Sequence, residues 1–236
     1  MFARSAAPRL LVVTAVVAER DAAAANLMAA ESVLGPYATL TAPTALGRVD
    51  LLAAGAGSAA AAAGAASALA IAPYDLVLCA GVAGGFAPVE VGGTVVASAV
   101  VHADFGAETE DGFICADLLG LGPTRTELPA ALVGELAART SARTGAVVTV
   151  CTVTGSARTA ADLVARHPDA VAEAMEGAGV LAAASAHGVP FAELRTISNR
   201  VGPRDRSSWQ LGPALDALTV ALTAVTSSPL AAGTDE

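Results

Sequence analysis

Two carboxylates and one amide stand where α/β proteins usually hold their ligands. Glu19 follows the apolar run "LLVVTAVV" (Leu10–Val17), Glu176 follows Val171–Met175, and Asn199 closes "PFAELRTIS". Arg195 lies four residues behind Asn199, and the single tryptophan, Trp209, lies ahead of it. In folds of alternating strands and helices, ligands sit beyond the carboxyl ends of the strands. Three such residues on separate strand ends could therefore meet in one pocket. A buried carboxylate can take a proton from a nucleophile or stabilise a developing positive charge. An amide can both donate and accept. Each residue also has a plainer reading. Glu19 and Glu176 both stand at the start of a helix, where the dipole favours an acid. Asn199 could be a cap, and the arginines of "RVGPRDRSSW" could be a solvated loop.

The elements that must position these residues follow one rhythm. Short Val/Leu runs alternate with Ala-rich stretches of helical length. Strands are expected at Leu10–Val17, "VDLLAAG", "DLVLCAG", "GTVVASAVVHAD", "AVVTVCTV", Val171–Met175 and "PFAELRTIS". Helices are expected at Asp21–Leu34, Ser58–Ile71, Pro129–Thr140, Ala157–Arg166, Gly177–His187 and Trp209–Val225. The strands lack polar alternation, so they are covered on both faces. The expected fold is a single α/β/α domain with a central mixed, largely parallel sheet. It spans residues 1–227, with 228–236 as a loose tail.

Beyond the strand ends lie Gly55–Ser58, the run "GVAGGF" from Gly81 to Phe86, Asp104-Phe105-Gly106, Thr154-Gly155-Ser156 and Met175-Glu176. "GAGSAA" looks like part of a dinucleotide-binding fingerprint. That motif wants an acid at the end of the next strand, and Asp75 precedes that strand instead. A tight strand–helix turn is the better reading.

Composition narrows the function. Thirteen basic and 22 acidic residues leave a net charge of −9, which repels phosphate backbones and argues against nucleic acid. Cys79, Cys115 and Cys151 form no CxxC pair, and the three histidines are scattered. Reduced cytoplasmic thiols are expected, with no metal site and no cofactor. Arg4, Arg9 and "LLVVTAVVA" could mimic a secretion signal, but "ERD" interrupts before any cleavage site. The apolar runs fall short of the ~20 residues of a membrane span.

Taken in order, the pieces are more specific. "AEAMEGAGVLAAASAHGVPFAELRTISN" resembles the signature half of the purine nucleoside phosphorylase and nucleosidase family. "VDLLAAGAGSAAAAAGAASAL" and "DLVLCAGVAGGFAP" resemble its middle. The resemblance spans nearly the whole chain and implies cleavage of a purine N-ribosidic bond. It assigns Glu19 to the attacking water, Glu176 to the ribose hydroxyls and Asn199 to the N7 side of the leaving base. Met175 would pack on the sugar, with Gly81, Val82, Ala83 and Gly84 lining it. Arg195 would brace the site and Trp209 would wall it. Phe105, Thr154, Arg158 and Ser198 would complete the substrate contacts. Asn199 stands where adenine-cleaving members carry aspartic acid, and an amide suits a 6-oxopurine, whose N7 and O6 both accept. "VCTVTGSA" and "SNRVGPRDRSSW" point to members whose inosine-like substrate carries an aryl carboxylate beyond its 5′ side. Arg158, Arg204 or Arg206 could bind that group.

The third turn lacks the arginines with which phosphorylases of the family hold phosphate, which favours water as the nucleophile. Val82 departs from the serine common at its position, and Arg158 from an aromatic residue. A 6-oxopurine phosphorylase, a methylthioadenosine/adenosylhomocysteine-type nucleosidase and a silent nucleoside-binding protein remain alternatives. Family members are oligomers, so a homo-oligomer is expected.

Overall fold

The computed structural model describes residues 8–230. The chain runs β1 (Arg9–Thr14), α1 (Val17–Ala24), β2 (Ala30–Leu34), β3 (Tyr37–Pro43), β4 (Arg48–Ala53), α2 (Ser58–Ile71), β5 (Leu76–Gly85) and β6 (Thr94–His102). It continues with β7 (Gly106–Thr109), β8 (Gly112–Cys115), β9 (Arg125–Glu127), α3 (Ala130–Thr140), β10 (Arg143–Thr149) and α4 (Ala157–Arg166). The last elements are β11 (Ala170–Ala174), α5 (Gly177–Ala186), β12 (Phe191–Arg200) and α6 (Leu211–Thr226).

The main sheet has the order β11-β10-β6-β12-β5-β1-β4-β3-β2. Parallel pairings join β4, β1, β5 and β12, and also β6, β10 and β11. Antiparallel pairings are more numerous than the sequence suggests, at β12–β6, β11–β5, β2–β3, β3–β4 and β6–β9. Because β11 also reaches β5, the strands β11, β10, β6, β12 and β5 close into a ring. Leu10 to Val13 of β1 are all fully buried, as a strand covered on both faces requires. The apolar stretch that could mimic a secretion signal is thus a central core strand.

The helices form two packed groups, α1 and α3 on α6 and α2 on α5, and both groups contact the sheet. Alanine and glycine let α2 and α5 come unusually close. A Cβ added at Gly179 would lie 2.1 Å from the Ser58 carbonyl oxygen. The layered α/β/α arrangement with a mixed sheet matches the expectation.

Several local expectations fail. The helix expected over Asp21–Leu34 is only α1, and the rest becomes the β2–β3 hairpin, turned at Gly35 with φ +58. Alanine raises helix propensity there, but strand pairing with β4 overrides it. The strand expected to reach Val17 stops at Thr14, and α1 begins at Val17. Gly81–Gly85, expected as a turn, extends β5, because β12 and β11 supply backbone partners on both sides. β10 ends at Thr149, leaving Val150–Val153 as loop. The last helix starts at Leu211, after Trp209. Arg139 donates to the carbonyls of Val225, Ser228 and Pro229, which ties the chain down past α6. The remainder of the expected tail, 231–236, lies outside the described residues.

Candidate active site

Glu19 enters the site from the first turn of α1, where orphan backbone N–H groups favour an acid. It is 4% exposed. One carboxylate oxygen accepts from the Ala15 and Val16 N–H groups at 3.0 and 3.2 Å, and the other from Val82 N–H at 2.8 Å. Burial raises its pKa above 4.5, and nearby Glu176 adds to the rise. The Val82 N–H, Arg195 and the Val16 N–H pull the other way. Gly81 makes the approach possible. A Cβ there would lie 2.6 Å from Glu19 Oε1 and 3.2 Å from Arg195 Nη1.

Glu176 caps α5 and is also buried. It accepts from Gly57 N–H, at the start of α2, at 3.1 Å, and from Arg195 Nη1 at 3.2 Å. Gly57 has φ +90 and Gly55 φ +106, conformations that glycine adopts freely. The strand–helix turn "GAGS" therefore serves to aim an N–H at a carboxylate. Ser58 donates to the Met175 carbonyl at 3.1 Å, which holds the two helix starts together.

Arg195 is 1% exposed and links Glu176 to Glu193. Its Nε donates to Glu193 at 2.9 Å and its Nη2 lies 3.1 Å from Cys79 Sγ. Burial opposes its charge, but the surrounding acidic groups outweigh that and keep it protonated. Glu193 is fully buried, with one carboxylate oxygen lacking a partner among the described residues. Burial raises its pKa. Glu193 was not singled out in the sequence, where it passes as one more residue of an apolar strand. Three acidic side chains gather near one guanidinium, two of them bonded to it, so acidic groups outnumber basic ones in this buried cluster. Such a cluster stabilises a cation and repels phosphate.

Asn199 occupies the row of β12 that pairs with Gly84 of β5. Ser198 Oγ donates to Asn199 Oδ1 at 2.8 Å, which fixes the amide with its oxygen occupied. One amide hydrogen goes to the Arg200 carbonyl at 2.9 Å, and the other is left to donate. The Ser198 hydroxyl also lies 3.3 Å from the Ala83 carbonyl. Across Gly84, Thr154 donates to Glu173 through N–H at 2.9 Å and through its hydroxyl at 2.5 Å. Burial raises the Glu173 pKa, the two Thr154 donors offset part of this, and Asp104 adds to it. Glu173 is a second acid absent from the sequence reading.

The remaining expected residues lie outward. The loop after β12 carries Arg204 and Arg206, whose guanidinium carbons lie 5.4 and 5.8 Å from the Trp209 ring centroid. This loop is pinned by Gln210 N–H to the Ser198 carbonyl at 2.8 Å and Arg204 N–H to the Gly155 carbonyl at 3.3 Å. Arg158 is on the surface of α4, with its side chain 92% exposed and its guanidinium 3.9 Å from Asp162. Phe105 is exposed and stacks on His102 at 5.2 Å. Neither Arg158 nor Phe105 contacts the acid cluster.

His102, Asp104 and Cys151, scattered in sequence, converge so that their potential ligand atoms lie within 4.8 Å of one another. Asp104 also accepts Cys151 N–H at 2.5 Å. The three cysteines are all free thiols. No helix among the described residues is long and apolar enough to cross a membrane.

The sequence profile of the phosphorylase superfamily matches residues 11–227, and the chain belongs to that superfamily. Its sequence relatives narrow the class to futalosine hydrolases. The futalosine hydrolase of Streptomyces coelicolor is 54% identical over 224 residues, covering 90% of this chain and 93% of the relative. That of Acidothermus cellulolyticus is 46% identical, covering 91% and 89%. In fold, the native futalosine hydrolase of Helicobacter pylori superposes with TM-score 0.78 at 18% identity, covering 92% of this chain and 96% of that one. A 5′-methylthioadenosine/S-adenosylhomocysteine nucleosidase from Neisseria meningitidis, in complex with methylthio-immucillin-A, gives TM-score 0.79 at 20% identity, covering 92% and 98%.

Proposed function

We propose that this protein hydrolyses the N-ribosidic bond of futalosine, releasing hypoxanthine and dehypoxanthine futalosine, a step of menaquinone biosynthesis. The observation that carries the reading is the pair Glu19 and Glu176 beside Arg195, which bonds Glu176 while Glu19 approaches over the missing Cβ of Gly81. Bond cleavage passes through a ribosyl cation. A cluster in which acidic groups outnumber basic ones stabilises it more than it stabilises the neutral ground state, which is what accelerates a reaction. Glu176 accepts from the ribose hydroxyls, with Met175 packed on the sugar. Glu19 orients water and takes its proton. Arg195 positions Glu176. Asn199, its oxygen held by Ser198, donates its free N–H to the leaving base.

Water rather than phosphate is the nucleophile in this reading. Arg20, the arginine next to Glu19, is committed to Asp21 at 2.7 Å and to the Ala38 carbonyl at 3.3 Å. The Trp209 platform with Arg204 and Arg206 offers two cations to the substrate's aryl carboxylate, and an aromatic face to its ring. Arg158, pointing to solvent from α4, is the weaker candidate for that contact.

The reading places the enzyme in the cytoplasm as a homo-oligomer. Its free thiols support the first, and light scattering at micromolar concentration tests the second. The activity test is incubation with futalosine, inosine and methylthioadenosine, each with and without phosphate. Free hypoxanthine from futalosine, independent of phosphate, is the expected result. Phosphate-dependent release, or release from methylthioadenosine alone, would overturn the reading.

A further inference from the structure

We infer that His102, Asp104 and Cys151 form a binding site for a thiophilic divalent cation of the zinc class. The site is separate from the acid cluster and does not rest on the functional reading above. The sequence led to the expectation of no metal site, because its cysteines and histidines are scattered along the chain. Strand register brings together what spacing does not. β6 and β10 run parallel, with His102 opposite Thr149. Asp104 and Cys151 each lie two residues further on, so the two segments leave the sheet side by side.

The segment that carries the ligands is held in place by the protein itself. His102 N–H donates to the Thr124 carbonyl at 2.7 Å, and Ala103 N–H donates to the Thr149 carbonyl at 2.9 Å. Arg166 donates to the Ala103 carbonyl at 2.8 Å. The His102 ring stacks on Phe105, which fixes its plane. Asp104 Oδ2 accepts Cys151 N–H and so joins the two segments. Its other oxygen, Oδ1, lies 3.7 Å from His102 Nε2. That distance is too long for a hydrogen bond. It suits two ligands of one ion, because tetrahedral bonds of about 2.0–2.3 Å set ligand atoms roughly 3.3–3.8 Å apart. The ligand atoms of all three residues lie within 4.8 Å of one another. Side-chain adjustments of about an ångström therefore complete the set.

The donor set selects the ion. A thiolate, an imidazole and a carboxylate suit zinc, whereas calcium and magnesium take oxygen ligands. The thiolate and the carboxylate together balance the charge of a dication. Cys151 and Asp104 are exposed and His102 is half-buried, so an ion enters from solvent and keeps a water in the fourth position. A bound ion fastens the loop Val150–Val153 to the end of β6, and that loop leads directly into Thr154.

The test titrates Co²⁺ into the reduced full chain after treatment with a chelator. A thiolate-to-cobalt charge-transfer band reports a sulfur ligand directly. Wild type should take up one Co²⁺ per chain with that band. Zn²⁺ should displace it and Mg²⁺ should not. Cys151→Ser should abolish the band. His102→Ala should weaken Co²⁺ binding about tenfold or more, since even residues that only orient a ligand are worth 10–100-fold. Cys115→Ser, at the partly buried thiol, should leave band and affinity unchanged. No band in wild type, a band that survives Cys151→Ser or is lost with Cys115→Ser, or unchanged affinity in His102→Ala would overturn the inference. The readout needs no nucleoside, so its failure is distinct from a failure of the futalosine assay.

Discussion

The acid cluster and the Trp209 loop are built on opposite terms. Around Glu19, Glu176, Glu193 and Arg195, each charged group is buried, and the bonds join strands to helix starts or, for Glu193 and Arg195, run within β12. Around Trp209, the two arginines are exposed and rest on an aromatic face. Buried charges held by backbone N–H groups cannot reorient, which suits chemistry that needs a fixed field. Exposed arginines on a loop can move to meet a large substrate tail. On the proposed reading the reaction belongs to the rigid interior and recognition of the substrate tail to the rim, with the β12 row of Asn199 between them.

The largest expected break is at Glu19. Glu19→Gln should keep its fold and bind a product analogue, yet lose about 10²–10⁴ in turnover. Burial holds the Glu19 carboxyl above its ordinary value of 4.5, so the acid limb of the wild-type kcat/KM profile should lie above that pH. The limb should vanish in the variant. The same shift means the folded state is favoured by protonation. That contribution is present below the unfolded value and is lost as pH rises through the folded one. The Tm of Glu19→Gln relative to wild type should therefore rise with pH.

Next comes Arg195→Met, which leaves Glu176 and Glu193 buried without their counter-charge. Breaking such a pair costs about 3–5 kcal/mol, readable in urea unfolding. Arg158→Ala, on the rim, should change stability by no more than about 0.5 kcal/mol. Equal effects at the two sites would erase the contrast between interior and rim.

A smaller change is expected in the row between. Asn199→Asp replaces a donor with an acceptor facing N7 and O6, a mismatch of about 1–3 kcal/mol. The ratio of kcat/KM for futalosine over aminodeoxyfutalosine should fall about 5- to 150-fold. An unchanged ratio would remove Asn199 from base selection.

The smallest effect belongs to the loop. Arg204→Ala with Arg206→Ala should raise the KM for futalosine a few-fold, since exposed ion pairs contribute about 0.2–1 kcal/mol each. Inosine, which lacks the carboxylate, should be unaffected. A matching loss with inosine would show that the loop closes the site rather than reading the tail.

How much of this was legible in the sequence follows from the same contrast. Glu19, Glu176 and Asn199 could be read because each ends a recognisable apolar run. Arg195 could be read because an arginine inside such a run demands a partner. Glu193 and Glu173 could not, because an acid inside a strand looks like a solvent-facing position until the neighbouring strands are known. Gly81–Gly85 was misread as a turn because glycine marks loops and tight contacts alike. Here it marks strand backbone against side chains. The β2–β3 hairpin was hidden by alanine, and the gathering of His102, Asp104 and Cys151 by the parallel pairing of β6 with β10. Phe105 and Arg158 were named by position along the chain, and both side chains are exposed.

The close approach of α2 and α5 has a mechanical meaning. Gly57 at the start of α2 donates to Glu176 at the start of α5, and one turn in, Gly179 touches the Ser58 carbonyl. The two helix starts are therefore held as one unit, with the close contact at Gly179 and Glu176 at its edge. A methyl group inserted at Gly179 would meet the Ser58 carbonyl oxygen and none of the carboxylates, yet it must wedge the helix starts apart and draw Gly57 away from Glu176. The precision of the chemistry is thus set partly by the thinness of a contact between two apolar helices.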